Sequence, residues 1–295
     1  MNQNSVYVDL LGCQVYLHRG AKYTTRIIEA GQGPALIMMH GGGGHAEAYS
    51  RNFARLARKF RVMAVDFIWH GLSSKPEFRS GNWLKQFTEQ ILDLMDTLGI
   101  AKASFEGESL GGWVAMDLGI HHPQRVDKLI LNTAWGGKFD PKHVQEAHAD
   151  LATLRKTSLD ALEQPDRAKF RKRMEWLMAA DKVTDEIIEI RYHLWSRPDT
   201  NRALKEYYEH LFDESCEDYL FDEAMMSRIS RPTLVLWTDR NPLHGVDAAR
   251  RLQQLVRGSE LCIIKNAAHW PQWEQPEEHD EVVMQFLLGN PSPGG

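Results

Sequence analysis

The sequence predicts an α/β fold, with a mostly parallel sheet of eight strands flanked by helices and a helical insertion late in the chain. Eight short runs rich in strand-forming residues occur along the chain, and most of them are separated by segments with helical periodicity. This alternation is typical of βαβ units, in which crossover helices cover a parallel sheet. A charged, helical stretch of about 90 residues then interrupts the alternation, which predicts the insertion.

The predicted strands are short and apolar, as expected for strands buried in a parallel sheet. In chain order they are "QVYLHRG", "TTRIIEA", "ALIMMHG", "RVMAVDF", "KASFEGES", "DKLILNT", "TLVLWTD" and "LCIIKNA". The predicted covering helices have apolar residues three or four positions apart. They are "YSRNFARLARKF", "NWLKQFTEQILDLMDTLG", "LGGWVAMDLGIHH", "VDAARRLQQLVR" and "EEHDEVVMQFLLG".

The strand pattern stops between residues 137 and 229, where stretches such as "AKFRKRMEWLMAADKVTDEIIEIRYHLW" are charged and helical. We expect a helical cap there, over the carboxyl edge of the sheet, where open α/β sheets bind their ligands. The core is then divided into two parts, 1–136 and 230–290. Residues 291–295, "PSPGG", form a tail, and together with Asn290 they have the composition of a disordered segment.

Composition excludes several functional classes. With 35 basic and 40 acidic residues the formal charge is −5, and no Lys/Arg-rich block suggests a nucleic-acid partner. No run approaches the roughly 20 apolar residues of a membrane span, and "MNQNSVYVDL" shows no secretory signal, so we expect a cytoplasmic protein. The three cysteines, Cys13, Cys216 and Cys262, fit neither a disulfide framework nor a CxxC site. We find no metal-ligand spacing and no dinucleotide fingerprint, and therefore expect no metal and no organic cofactor.

One serine stands on a sharp bend between a predicted strand and a predicted helix. Residues 107–111, "GESLG", match G-x-S-x-G, the nucleophile elbow that raises a serine hydroxyl out of the sheet. The flanking Gly107 and Gly111 avoid the clash that a Cβ would cause there. A glycine-rich turn with an incidental serine would lack this strand and helix context. We therefore predict Ser109 as the nucleophile.

A glycine-rich loop follows the third predicted strand, in "MMHGGGGHAEAY". Such HGGG-type loops bring backbone N–H groups close to a developing oxyanion. We expect the oxyanion hole to consist of the N–H groups of Leu110 and Gly42, with Gly41 and Gly43 beside the substrate. A phosphate-binding loop is disfavoured because no G-K-[ST] sequence accompanies the glycines.

A serine nucleophile needs a base, and "NAAHWPQWEQP" places His269 just after the last predicted strand. This position completes the chain order serine, acid, histidine. The remaining histidines are better explained as surface or structural residues. His121 and His122, for example, lie at a helix end, where the dipole favours them.

These motifs, together with "DFIWHGLSSKP", resemble the α/β-hydrolase family. Within it, "HGGGGHAEAY", "GESLGGW", "LVLWT" and "HWPQWEQPEE" are similar to the 2-hydroxy-6-oxo-dienoate hydrolases, which cleave a carbon–carbon bond in meta-ring-fission products of aromatic degradation. The similarity extends from about Thr24 to Leu288. It implies the α/β-hydrolase fold, a small-molecule substrate and a homo-oligomer, a dimer or larger.

The resemblance also implies roles for individual residues. Ser109 and His269 would form the catalytic pair, and Trp270 would be a wall of the pocket. Arg191, in "EIRYHLWSRP", would be the cap arginine that binds the carboxylate or enolate end of the substrate, which suits the fork of a guanidinium. The sequence equally allows Arg191 to be a surface charge of a helix.

Two further polar residues, Arg51 and Asn52, follow the glycine loop, where such hydrolases place contacts to the same end of the substrate. Glu108 precedes the nucleophile, where many of these hydrolases carry a neutral amide, and we count it among the residues predicted to contact the substrate. Its carboxylate would disfavour a nearby anionic group of the substrate unless Arg191 or Arg51 compensates.

The acid of the triad is a second departure from the family. The family's aspartate would stand at Asn241, in "WTDRNPLHG". An asparagine holds the tautomer of a histidine but provides no charge, and in the triad of the serine proteases the change from aspartate to asparagine costs about 10⁴ in turnover. Asp239 would serve if the loop were shifted, and would otherwise be a solvent-facing turn residue.

The leading hypothesis is a cofactor-free serine hydrolase that cleaves a carbon–carbon bond in a vinylogous 1,5-diketone. An ester, lactone or thioester hydrolase with the same Ser109–His269 pair is the nearest alternative, because fold and elbow do not fix the substrate. A hydrolase-like binding protein with weakened catalysis is a third possibility, suggested by Asn241.

Overall fold

The computed structural model describes residues 5–79, 81, 83–138, 141–211 and 219–289. Cys216 and the predicted tail at 291–295 lie outside these described residues. In the described part of the chain, no helix is both long and apolar enough to cross a membrane.

The eight predicted strands are present and form one sheet. Their bounds are β1 Gln14–Arg19, β2 Thr24–Ala30, β3 Ala35–Met39, β4 Arg61–Val65, β5 Ala103–Glu108, β6 Val126–Asn132, β7 Thr233–Thr238 and β8 Glu260–Ile264. Their order in the sheet is β1-β2-β4-β3-β5-β6-β7-β8. Strand β2 is antiparallel to both of its neighbours, and the other pairings are parallel. The prediction of a mostly parallel α/β sheet is therefore confirmed.

The register of the central strands brings three loops together. Met39 of β3 pairs with Gly107 of β5, and Glu108 of β5 pairs with Asn132 of β6. The carboxyl ends of these parallel strands consequently lie side by side, at the edge where such sheets bind ligands. All six residues of β5 are buried, as expected for a strand covered on both faces.

Helices cover the sheet and connect its strands. Their bounds outside the insertion are α1 Val6–Asp9, α2 Phe53–Leu56, α3 Leu84–Thr97, α4 Leu110–His121, α10 Val246–Leu255, α11 Pro271–Glu274 and α12 Pro276–Leu288. Helix α3 buries Leu84, Phe87, Ile91 and Leu94, which share one face through their spacing of three or four residues. Helix α4 is buried from Leu110 to Ile120, which fits its apolar composition on all sides.

The chain between β6 and β7 is helical where it is described. It contains α5 Pro141–Glu163, α6 Arg167–Leu177, α7 Asp185–Trp195, α8 Pro198–Leu211 and α9 Glu223–Met226. Asp166 caps α6 by accepting hydrogen bonds from two backbone N–H groups, and Thr184 caps α7 in the same way with one. We call helices α5–α8 the helical segment.

The helical segment lies over the carboxyl edge of the sheet. Trp195 donates a 3.0 Å hydrogen bond to the Gly43 carbonyl, in the loop after β3. Thr200 donates to the Gly71 carbonyl after β4, and the Leu177 carbonyl accepts from the His269 N–H after β8. The segment therefore contacts three of the loops that follow strands.

The two ends of this stretch meet beside the core. Gly137 and Phe221 form an isolated parallel bridge, and the Phe221 N–H donates to the Gly136 carbonyl at 2.8 Å. Beyond Phe221, helix α9 packs against α4, and Ile229 approaches Gly119. Residues 221–229 thus lie against core helix α4, whereas α5–α8 cover the loops.

Candidate active site

Ser109 occupies the sharp turn between β5 and α4. Its backbone has φ +52° and ψ −110°, a left-handed conformation that costs a non-glycine residue about 1–3 kcal/mol. The Ser109 N–H donates to the Asn132 carbonyl at 3.1 Å. The Ser109 carbonyl accepts from the N–H groups of Trp113 and Trp135. Backbone hydrogen bonds on both sides therefore hold the strained turn in place.

The glycines around Ser109 are required by close backbone contacts. A Cβ on Gly107 would overlap the carbonyl of Gly111, and a Cβ on Gly111 would overlap the carbonyl of Met39. Both obstacles are backbone atoms, which cannot move aside as the end of a flexible side chain could. The G-x-S-x-G spacing in this chain is thus a packing requirement of the elbow.

The glycine loop is shaped by His40, which is fully buried. His40 Nδ1 lies 2.7 Å from the Gly41 carbonyl, and His40 Nε2 accepts from the Phe67 N–H at 3.1 Å. Burial lowers the pKa of His40 to about 4, so the ring is neutral at physiological pH. A neutral ring with Nδ1–H and an acceptor at Nε2 satisfies both hydrogen bonds.

A cavity brings the predicted reacting groups together beneath the helical segment. It has about 510 Å³ of space free of atoms, part of it open to solvent, which is within the usual size range for small-ligand sites. It is lined by Gly41, Gly42, Glu108, Ser109, Leu110, Trp135, Leu154, Arg173, Leu177, Tyr207, Tyr208, Leu243, His269 and Trp270. The Leu110 N–H opens helix α4 and has no acceptor inside the helix, as expected of the first turn.

His269 is buried on the loop after β8, with 3% of its surface exposed. Its backbone N–H donates to the Leu177 carbonyl, and its carbonyl accepts from the Thr133 hydroxyl at 3.0 Å. The Glu274 carboxylate fixes the loop by accepting from the N–H groups of Ala268 and Trp270. The imidazole is thereby anchored between the sheet and the helical segment.

Asn241 occupies the position that the family gives to the acid. Its Oδ1 lies 3.0 Å from His269 Nδ1 and also accepts from the Leu243 N–H at 3.2 Å. Asp239 is exposed, and its N–H is bound to the Ile264 carbonyl. Among the described contacts the partner of His269 Nδ1 is therefore Asn241, and the loop is not shifted toward Asp239.

Glu108 lies on the other side of the same imidazole. Its Oε1 is 3.1 Å from His269 Nε2, and both side chains are almost fully buried. Its Oε2 accepts from the Gly41 N–H at 2.6 Å. The structure thus places a carboxylate against Nε2 and an amide against Nδ1.

Arg191 is fully buried and is not a surface charge. Its Nη1 donates to the Gly43 carbonyl at 2.9 Å, and its guanidinium carbon lies 5.5 Å from the ring centroids of both Trp195 and Trp270. Its Nε and Nη2 have no protein partner within the described residues. Burial, with the nearby charge of Arg173, lowers the pKa of Arg191 to about 9.

Arg173 lines the cavity, although no motif in the sequence pointed to it. Its Nε donates to the Ser158 hydroxyl at 2.9 Å, and its Nη2 donates to the Tyr208 hydroxyl at 3.0 Å. No carboxylate lies within ion-pair distance of Arg173 in the described chain. A signal was present, because Arg173 shares the buried face of α6 with Phe170 and Leu177, three before it and four after it.

Arg51 and Asn52 lie apart from the cavity in the described structure. The Arg51 guanidinium stacks 3.7 Å from the Trp273 ring centroid and donates to the Trp273 carbonyl. Asn52 donates to Asp280 Oδ1 at 2.7 Å and to the Gln272 carbonyl. Contact of either residue with substrate stays a prediction from the resemblance.

The described residues contain no cluster of three or more side chains that would suit a metal ion. The cavity and its surroundings offer a serine hydroxyl, an imidazole, a carboxylate, two guanidinium groups and backbone amides. Such a set suits nucleophilic attack on a polarised carbonyl, with stabilisation of the oxyanion by backbone N–H groups.

Comparison with known proteins agrees with this fold. The family model described as alpha/beta hydrolase fold matches residues 34–276. The 2-hydroxymuconate semialdehyde hydrolase of Pseudomonas putida is 26% identical over 274 residues, which cover 90% of this chain and 92% of that protein. The 2-hydroxy-6-oxononadienedioate/2-hydroxy-6-oxononatrienedioate hydrolase of Paraburkholderia xenovorans (strain LB400) is also 26% identical, over 88% of this chain and 89% of that protein.

A solved structure shows the same similarity in three dimensions. The 2-hydroxy-6-oxo-6-phenylhexa-2,4-dienoate hydrolase of Rhodococcus sp. strain RHA1 has a TM-score of 0.81 and 25% identity, covering 94% of this chain and 99% of that chain. The resemblance to the dienoate hydrolases expected from the motifs is therefore confirmed. The chain belongs to the α/β-hydrolase fold family.

Proposed function

We propose that the chain is a cofactor-free serine hydrolase that cleaves a carbon–carbon bond in a 2-hydroxy-6-oxo-dienoate, a ring-fission product of aromatic degradation. The observation that carries this proposal is a pair of buried arginines: Arg173 lines the cavity with Ser109 and His269, and Arg191 lies against the cavity residue Trp270. Arg173 and Arg191 have no carboxylate at ion-pair distance in the described structure, and Arg191 keeps two unpartnered nitrogens. A buried cation needs an anion, and the carboxylate of a dienoate supplies one, whereas a simple ester does not.

The substrate first changes from its enol to its keto form in the cavity. The 2-hydroxyl loses its proton, and a carbon of the conjugated chain gains one, so the C6 ketone becomes the electrophile. Arg191 and Arg173 favour this step because they attract the carboxylate and the developing enolate at the same end of the substrate. Trp270 and the leucines of the cavity wall surround the apolar remainder.

Attack on the ketone follows, by the Ser109 hydroxyl or by a water held near it. The nucleophile forms a bond to C6, and His269 takes its proton at Nε2. The ketone oxygen becomes an oxyanion, which the N–H groups of Leu110 and Gly42 stabilise. Leu110 is the better supported donor, because a helix N-terminus favours negative charge.

The C5–C6 bond then breaks, and its electron pair remains on the dienoate fragment as a delocalised carbanion. His269 returns a proton to this fragment, which leaves as a hydroxydienoate. If Ser109 was the nucleophile, water hydrolyses the acyl-enzyme and releases a carboxylic acid. The balance is one water consumed for one carbon–carbon bond cleaved, without an oxidant or reductant.

The neutral Asn241 is compatible with this reaction. The ketone is already activated, and the leaving group is a stabilised carbanion, so the reaction demands less from the acid member than peptide hydrolysis does. Asn241 Oδ1 still fixes the imidazole with its proton on Nδ1, which leaves Nε2 as the basic nitrogen.

The direct test is the loss of visible absorbance of a yellow 2-hydroxy-6-oxo-dienoate with purified protein. We expect wild type to bleach the substrate and Ser109→Ala to lower the rate by at least about 10³-fold. Short p-nitrophenyl esters are the matched control, on which turnover should be much lower. Ester turnover without bleaching would indicate the alternative ester, lactone or thioester hydrolase. Tight binding of the dienoate with no product would indicate a binding protein.

A further inference from the structure

We propose that Glu108 carries the negative charge that balances the His269 imidazolium, the role that the family pattern gives to an aspartate at position 241. This inference rests on the proposed function of His269 as the proton carrier. It makes Glu108 a positioning residue of the catalytic site, distinct from the substrate contact that its sequence position suggested.

The geometry around His269 supports this role. Glu108 Oε1 lies 3.1 Å from His269 Nε2, and their side chains are 1% and 3% exposed. When the proton of the nucleophile arrives on Nε2, the new positive charge therefore develops in contact with a carboxylate. In the usual triad the compensating carboxylate binds Nδ1, but here Nδ1 faces the neutral amide of Asn241 at 3.0 Å.

The surroundings of Glu108 support the same pairing. A buried carboxylate requires a cation or several hydrogen-bond donors. In the described structure Glu108 has one donor, the Gly41 N–H at 2.6 Å, and no arginine or lysine at ion-pair distance. His269 is the ionisable group that it contacts. Once His269 carries the proton of the nucleophile, each side chain is the counterion of the other.

Gly41 is fitted to this carboxylate. A Cβ on Gly41 would lie 2.5 Å from Glu108 Oε2 and 2.6 Å from Oε1, closer than real Cβ contacts allow. Glycine at this position lets the carboxylate lie against the loop and accept its N–H. The Gly41 amide is thereby occupied, which leaves the neighbouring Gly42 amide as the loop's donor to an oxyanion.

The charges in and around the cavity are consistent with the pairing. Glu108 is the acidic residue among those that line the cavity. Arg173 and His269 are the basic residues of the same lining. Glu274, the other carboxylate close to His269 along the chain, is turned to the N–H groups of Ala268, Trp270 and Ala179. With Glu108 paired to the imidazolium, the arginines keep their charge for the anion of the substrate.

The test combines Glu108→Gln with the double variant Glu108→Gln/Asn241→Asp, which moves the carboxylate to the family's position. We expect Glu108→Gln to lower kcat for the dienoate by about 100-fold or more, with KM unchanged or lower, because the charge on His269 develops during the chemical step. The double variant should regain at least about ten-fold in kcat over Glu108→Gln, since its new carboxylate faces Nδ1.

A second readout does not depend on the identity of the substrate. A fluorophosphonate forms a bond from phosphorus to the Ser109 oxygen and loses fluoride, while the serine proton passes to His269. The rate of this labelling, followed by intact mass, should fall in Glu108→Gln and recover in the double variant. If wild type bleaches no dienoate but labelling follows this pattern, the proposed function fails and the role of Glu108 stands.

Two results would overturn the inference. One is a Glu108→Gln protein within about three-fold of wild type in kcat and in labelling rate. The other is a folded Glu108→Gln/Asn241→Asp protein no faster than Glu108→Gln, which would mean that shape and not charge matters at position 108. If Glu108→Gln melts too early to assay, Glu108→Asp and Glu108→Asn replace it as a pair matched in length, and equal rates in that pair would overturn the inference.

Discussion

Strand β5 places two buried glutamates against two different histidines, and the two pairs differ in one partner. Glu106 and Glu108 are two residues apart, so their side chains leave the strand on the same side. Glu106 Oε1 lies 2.7 Å from His279 Nε2, and Glu108 Oε1 lies 3.1 Å from His269 Nε2. The third members are Asp280, 3.0 Å from His279 Nδ1, and Asn241, 3.0 Å from His269 Nδ1.

The difference separates a structural ion cluster from the site at which we propose that protons are transferred. Burial alone would lower the pKa of His279, but the Glu106 and Asp280 carboxylates raise it to about 10, so this imidazole keeps its proton near neutral pH. His269 has one carboxylate and one amide, and it lines the cavity. The two carboxylates beside His279 hold its proton in place, whereas in the proposed mechanism the one carboxylate beside His269 balances a transient charge.

The largest expected effect follows from removing the imidazole of the cavity. His269→Gln should lower kcat for the dienoate by about 10³-fold, because a general base contributes roughly 10²–10⁴. Its free energy of unfolding should fall by about 1–3 kcal/mol, because the buried Glu108 carboxylate and the Asn241 side chain lose their imidazole partner. Rates from bleaching and stabilities from urea unfolding measure both quantities. A folded variant that keeps full turnover would contradict the assignment.

The matching change in the structural cluster is Glu106→Gln. Breaking a buried ion pair by removing one partner costs about 3–5 kcal/mol, and His279 here loses the carboxylate at its Nε2. We expect a loss of stability of this size in urea unfolding, with kcat of the folded protein within a few-fold of wild type. A stability loss under about 1 kcal/mol would show that the cluster is not a fixed ion group.

The cations around the two histidines differ as well. Arg55 is partly exposed and pairs with Asp280, whereas Arg191 is buried against Trp270, the residue after His269, without a carboxylate at ion-pair distance in the described structure. Arg191→Met should raise KM for the dienoate by about 10- to 100-fold, the loss of a charge-assisted hydrogen bond of about 1.5–3 kcal/mol. Arg167→Met, which removes an exposed pair with Glu189, is the control and should leave KM unchanged.

The smallest effect, taken per pH unit, is the pH dependence of stability. The pKa of His279 is about 10 in the folded protein against an ordinary 6.5, so its stabilising contribution is complete below pH 6.5 and is lost as the pH rises through 10. The free energy of unfolding should fall by up to about 1.4 kcal/mol per pH unit in this window. Urea unfolding at pH 7 to 10 measures the slope, which should be shallower in His279→Gln. Equal slopes in the two proteins would refute the raised pKa.

Sequence patterns were sufficient for the fold because its signals are local. Strands of a parallel sheet, such as β5 and β7, are short apolar runs, and helix α3 shows its buried face in its spacing. The end of the helical stretch was less predictable, since the bridge between Gly137 and Phe221 joins distant residues that no local pattern relates.

The candidate active site also has a part that local sequence patterns predict and a part that they do not. The elbow at Ser109 is predictable because its glycines are required by neighbouring backbone atoms. The pairing of Glu108 with His269 depends on the fold bringing the end of β5 next to the loop after β8, and sequence spacing carries no information about it. Arg173 was missed because a basic residue on a charged helix is ordinarily exposed, although its spacing from Phe170 places it on the buried face.

The most direct test of the difference between the two histidines is kcat of Asn241→Asp on the dienoate, measured beside wild type. This change gives His269 two carboxylates, as His279 has, so we predict a rate equal to or below that of wild type. A rise of about ten-fold or more would contradict the role of Glu108, because it would show that the missing charge is needed at position 241 and that Glu108 does not supply it.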